Sequence, residues 1–129
     1  MNETRQPVVE VLSPADRTTL TRPGQTSVQL LWLGNSPQAR VTLTLVTIPP
    51  GATNQRHSHP DAEQIWIIEQ GRAVLLLGDG QSRPVQAGEI VRTPAGAVHG
   101  LHNTGSEPLV YLAVTTPPVD FRGAYETVR

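Results

Sequence analysis

The chain has 129 residues, with ten arginines and no lysine set against eleven acidic residues, a formal charge of −1, four histidines and no cysteine. Near-balanced charge argues against a nucleic-acid partner, which needs a basic face, and the lack of thiols removes disulfides, cysteine nucleophiles, iron–sulfur clusters and Cys-ligated zinc. Eleven Gly and twelve Pro punctuate the chain too often for long helices, which excludes a helical bundle.

Short strands separated by turn residues are predicted along the whole chain. The first is Val8 to Leu12, closed by Ser13-Pro14. Ser13-Pro14-Ala15-Asp16 resembles a helix start, but Thr18-Thr19 behind it favours a turn. Thr26 to Leu33 is rich in β-formers and stops at Gly34-Asn35-Ser36-Pro37. Val41 to Ile48 alternates, with Val41, Leu43 and Leu45 on one face and Thr42 and Thr44 on the other. Gln64 to Glu69 and Ala73 to Leu77 flank Gly71, and Gly78-Asp79-Gly80-Gln81 is a hairpin signal. Arg83 to Gln86, Glu89 to Thr93, Ala97 to His102 and Leu109 to Thr115 complete the set, after which Pro117-Pro118 releases a polar tail over 117–129. About nine short strands without a helical period indicate a single all-β domain over 1–129, a sandwich or small antiparallel barrel. No run approaches the roughly 20 apolar residues of a membrane span, and Met1 to Gln6 lacks the pattern of a secretory leader. A cytoplasmic protein with no membrane partner is expected.

The histidines carry the chemistry. His57 and His59 are separated by one residue, so on a strand they aim at the same side of the sheet. Imidazole is the commonest protein metal ligand, and two on one face form half of a site. Glu63 and Gln64 follow as possible oxygen donors. His99 lies on a later strand whose face it shares with Leu101 and Asn103, while His102 points the other way and reads as structural. Arg56 and Arg92 are placed to steer an anion, although scattered surface arginines are commonplace.

Gly51, five residues, His57, one residue, His59, then Glu63 or Gln64, then Gly71 resembles the first conserved motif of the cupins. Gly88, five residues, Pro94, one residue, Gly96, two residues, His99, three residues, Asn103 matches the second. The motifs occupy 51–71 and 88–103. The resemblance implies a cupin, a double-stranded β-helix of jelly-roll type, holding one divalent transition metal ion (Fe, Mn, Ni, Co, Cu or Zn) through His57, His59, His99 and one oxygen ligand. Counting three residues on from His59 reaches Glu63, but seven residues then precede Gly71, where the family usually has six. Counting four reaches Gln64, and six follow. A one-residue slip turns every side chain over, so only one of the pair faces inward, and the glycine turn favours Gln64, with Glu63 as the alternative. Three imidazoles with Gln leave a divalent ion its full charge, a better Lewis acid than with Glu.

With Gln64 inward, Trp66 and Ile68 share its face and, with Leu101, are expected to line a mostly apolar substrate cavity. The expected function is metal-dependent chemistry on a small organic molecule. Dioxygenase-type cleavage comes first and isomerase, cyclase or lyase chemistry next; the alternative is a non-catalytic binding or sensory module. No general base is identified by pattern. A homodimer is expected, with the early strands over 1–34 (8–12 and 26–33) available to cross to a neighbour, and Phe121 and Tyr125 in the tail are placed to close the barrel mouth.

Overall fold

In the computed structural model, alternation and turn chemistry divide residues 6–129 into eleven described strands; residues 1–5, where the reading of the leader begins, lie outside the described residues. In chain order they are β1 (Thr18–Arg22), β2 (Gln25–Leu31), β3 (Thr42–Ile48), β4 (Thr53–His57), β5 (Glu63–Gln70), β6 (Arg72–Leu77), β7 (Ser82–Gln86), β8 (Ile90–Thr93), β9 (His99–His102), β10 (Leu109–Thr116) and β11 (Thr127–Val128). They form a seven-stranded sheet in the order β11-β1-β2-β3-β10-β5-β8 and a four-stranded sheet in the order β4-β9-β6-β7. Every ladder is antiparallel. The fold is all-β, as expected. Among the described residues no helix is long and apolar enough to cross a membrane.

Period-2 alternation puts Ile48, Trp66, Ile68, Leu75, Leu101 and Leu109 into one core between the sheets. The register of β5 is set at Gly71, whose φ of +87° is left-handed and whose added Cβ would lie 2.7 Å from the Pro108 carbonyl oxygen. Only glycine fits there. The 78–81 hairpin forms between β6 and β7, with Asp79 at φ 57°.

The structure corrects the sequence reading at both ends. Residues 8–12 are not a strand: Val8, Val9 and Val11 are 81%, 90% and 90% exposed. Their apolar residues fall on both faces of the segment, and the edge they would join is taken, because β1 pairs with β2 on one side and β11 on the other. Thr18-Thr19, read as a turn, instead opens β1, and the preceding Pro14–Asp16 is a single 3-10 turn in which the Asp16 carboxylate accepts from the Ser13 backbone N–H at 2.7 Å. The tail is not released either. It returns through β11, where Leu20 pairs with Val128.

Candidate metal centre

The β4–β9 ladder places His57, the last residue of β4, directly opposite His99, the first residue of β9. The approach is close because residue 100 is glycine: a Cβ there would lie 2.6 Å from the Asn54 carbonyl oxygen. His59 lies two residues beyond β4, in a loop pinned to the second motif by the Gly96 N–H, which donates to the His59 carbonyl at 2.9 Å. The ring centroids of His57 and His99 are 4.4 Å apart, those of His57 and His59 5.1 Å, and those of His59 and His99 5.2 Å. One ring nitrogen of each lies within 4.8 Å of the other two.

The tautomers suit a ligand set. Nδ1 of His57 is 2.7 Å from the Gln55 carbonyl oxygen and Nδ1 of His99 is 3.0 Å from that of Ala97. A carbonyl only accepts, so each Nδ1 carries the hydrogen and each Nε2 keeps its lone pair. His99 Nε2 is buried with no hydrogen-bond partner. A buried lone pair without a donor is costly, and an ion bound at the cluster would satisfy it. Burial, and then the neighbouring His57, pushes the His99 imidazole down to about 4 and also lowers that of His59. Both rings are therefore neutral at pH 7, the form that binds metal.

Gln64 is buried on the inward face of β5. Its amide nitrogen donates to Thr115 Oγ1 at 3.1 Å, and its carbonyl oxygen accepts the Trp66 indole N–H at 3.1 Å. One lone pair of that oxygen stays free. Glu63 lies on the opposite face, paired with Arg92. His102 is outside the cluster, and Asn103 acts on the backbone, donating to the carbonyls of Ile48 and Glu107 at 2.9 and 3.0 Å.

A cavity of about 520 Å³ opens beside His57 and His59. Trp66 lines it, and the Trp66 ring stands edge-on to His99 at 5.4 Å. Ile68 and Leu101, expected beside it, are buried in the core and are not among the residues that line the cavity. The cavity is also more polar than expected. The inward face of β2 carries Gln25 and Ser27 and that of β3 carries Thr44, while Leu43 and Leu45 face outward. Tyr111 completes this wall, and burial pushes its hydroxyl up, so it stays protonated. From the tail, Phe121 and Tyr125 both line the cavity, with the Phe121 ring 5.8 Å from that of His59. Arg22, Gln25 and Asn54 border the same space and had no motif to announce them.

Known proteins resemble this arrangement. A double-stranded β-helix domain protein from Klebsiella pneumoniae superposes with a TM-score of 0.70 at 22% identity, covering 86% of this chain and 92% of that one. Oxalate decarboxylase OxdC of Bacillus subtilis is 33% identical over 92 residues, which are 65% of this chain and 24% of that protein. The oxalate-binding protein of Thermotoga maritima is 34% identical over 67 residues, 52% of this chain and 54% of that one. The chain thus spans a quarter to a half of the length of these two curated relatives. A profile of the cupin domain matches residues 44–115, the stretch that runs from β3 through both histidine segments to β10. The chain belongs to the cupin family.

Proposed function

We propose that the chain binds one divalent transition metal ion through Nε2 of His57 and His99, a ring nitrogen of His59 and the carbonyl oxygen of Gln64, and processes a small organic molecule in the adjoining cavity. The observation that carries this reading is the orphaned, buried Nε2 of His99 within a triad of imidazoles. When bound, an ion held by neutral donors supplies Lewis-acid or dioxygen-activating chemistry. The chain's own residues prepare the site. The carbonyls of Gln55 and Ala97 orient the rings of His57 and His99, the Trp66 indole holds the Gln64 carbonyl in place, and Phe121 shields His59.

Dioxygenase-type cleavage of a ring or carbon–carbon bond is the reaction class we place first, with isomerase, cyclase or lyase chemistry behind it. A relative named as a gentisate 1,2-dioxygenase supports the first class, and one named as an oxalate decarboxylase supports the lyase class behind it. The second reading, a binding or sensory module without turnover, is favoured by the oxalate-binding relative and by the lack, among the described residues, of any Asp or Glu along the cavity to serve as a base. Elemental analysis of natively purified protein tests the metal. One ion per chain is expected, lost in His57→Ala, His99→Ala and Gln64→Ala but kept in Glu63→Ala. Full occupancy in His99→Ala would end the proposal. Turnover of an organic acid by the metal-loaded protein then separates enzyme from sensor.

The chain also pairs, in our reading, with a second copy. Val28, Leu45, Leu112, Ile67 and Ile90 stand opposite one another across five strands of the large sheet, on its outer face, and Ile67 and Ile90 are 38% and 62% exposed. An apolar row of this kind is the sort of patch that a partner covers, and the exposed valines of residues 8–11 add apolar surface for a partner. Light scattering at twice the 13.9 kDa chain mass is the expected result; a monomer would remove the idea.

A further inference from the structure

The end of the cavity away from Trp66 is built around one cation. Arg22, at the end of β1, donates to the side-chain oxygens of Gln25 at 2.9 Å and Asn54 at 3.2 Å and to the Ala124 carbonyl at 3.4 Å. All three acceptors are uncharged. The guanidinium sits over the Tyr125 ring, 5.1 Å from its centre, and the Tyr125 hydroxyl is itself fixed by Gln25 at 2.7 Å and by Ser27. Among the described residues Arg22 has no ion-pair partner, and no Asp or Glu lines the cavity. Arg56 also borders it, but its guanidinium is turned to the Leu77 and Gln81 carbonyls at the β6–β7 hairpin. Arg22 keeps its Nε–H and one Nη1 hydrogen undonated and is therefore an oriented, unneutralised charge on a cavity wall that attracts an anion.

The rest of the wall gives the ligand its body. Val46, Trp66, Ala113 and Phe121 supply apolar surface between the histidines and Arg22. The 520 Å³ volume falls in the range of about 300–1,000 Å³ that holds drug-sized ligands, so a two-carbon acid would leave most of it empty. We infer that this cavity takes an organic carboxylate with an apolar, ring-sized body, its carboxylate seated on Arg22 and its other end turned toward His57 and His59. This deepens the function proposed above by naming the substrate class, and it rests on that reading only for what happens at the histidine end.

Calorimetric titration of the full chain, metal-free and cobalt(II)-loaded, tests it with benzoate, the neutral isostere benzamide, and oxalate as probes. Benzoate is expected to bind tenfold or more tightly than benzamide and more tightly than oxalate. Arg22→Gln should weaken benzoate tenfold or more, the fold-change of one charge-assisted hydrogen bond, with the cobalt stoichiometry unchanged. Arg22→Lys should fall between. Equal binding of benzoate to wild type and Arg22→Gln, no preference over benzamide, tighter binding of oxalate to the metal-free protein, or no benzoate binding in either form would each overturn the inference. If Arg22→Gln does not fold, the benzoate–benzamide comparison on the wild type still decides. Failure of the metal reading shows separately, as missing cobalt, while the metal-free titration still reads Arg22.

Discussion

Replacing Gly100 by alanine tests how the two histidine strands are brought together. The new Cβ would meet the Asn54 carbonyl oxygen at 2.6 Å, the Gln55 carbonyl carbon at 2.9 Å and the Arg56 nitrogen at 3.0 Å, where ordinary contact begins at 3.4 Å. All three are backbone atoms of β4, which cannot rotate aside as a side chain would. The strand has to retreat by about 0.8 Å, and overpacking of this sort costs about 1–3 kcal/mol. In a domain of this size that corresponds to a fall in Tm of roughly 4–11 °C. His57 rides on β4 and faces His99 on β9, so the retreat also opens the imidazole cluster, and metal–ligand distances tolerate only about 0.2 Å. Scanning calorimetry with a cobalt(II) competition titration reads both effects. Gly123→Ala, with nothing within 4 Å of its added Cβ, serves as the control. Wild-type Tm and cobalt affinity in Gly100→Ala would refute the claim that strand proximity sets the site.

Gln64→Glu should tighten cobalt(II) binding tenfold or more, since a carboxylate offsets charge that an amide leaves bare, while lowering the Tm of the metal-free protein by burying an uncompensated anion; unchanged affinity in a chelator competition would remove Gln64 from the ligand set. The folded-state pKa of His99 is about 4, below its ordinary 6.5, so the unfolded chain takes up that proton first. The stability of metal-free protein is therefore complete above about pH 6.5 and drains away as pH falls toward 4; urea midpoints should show this slope, and His99→Gln should flatten it. Leu112→Glu and Ile67→Glu, on the outer row, should halve the mass seen by light scattering; a dimer surviving both would move the interface elsewhere.

The parts of the protein visible in its sequence are those governed by local rules. β3, β5 and β10 follow from period-2 alternation, and the inward face of β5 follows from counting back from Gly71, where a backbone clash admits no side chain. His57, His59 and His99 were readable as a group because the turn residues around them repeat at family spacing. β1 was not, because its Thr18-Thr19 opening reads as a turn, and β11 was not, because it is two residues long and its partner lies about a hundred residues away. The Arg22 end of the cavity was hidden for a related reason. Gln25, Ser27 and Asn54 are buried polar residues, so no apolar stripe marks their face as interior, and placing Tyr125 over the barrel mouth did not say which residues it meets there.

The pairing of Leu20 with Val128 makes the chamber depend on a contact between segments about a hundred residues apart. Arg22 is synthesised early, yet the aromatic ring stacked on it comes from residue 125, and a contact of such high sequence separation bears its loop-closure entropy before it gains anything in return. A nascent chain can complete the histidine half of its pocket while the arginine half still waits for the final strand. Ribosome-stalled intermediates ending after β10 should therefore capture cobalt before they can recognise an acid.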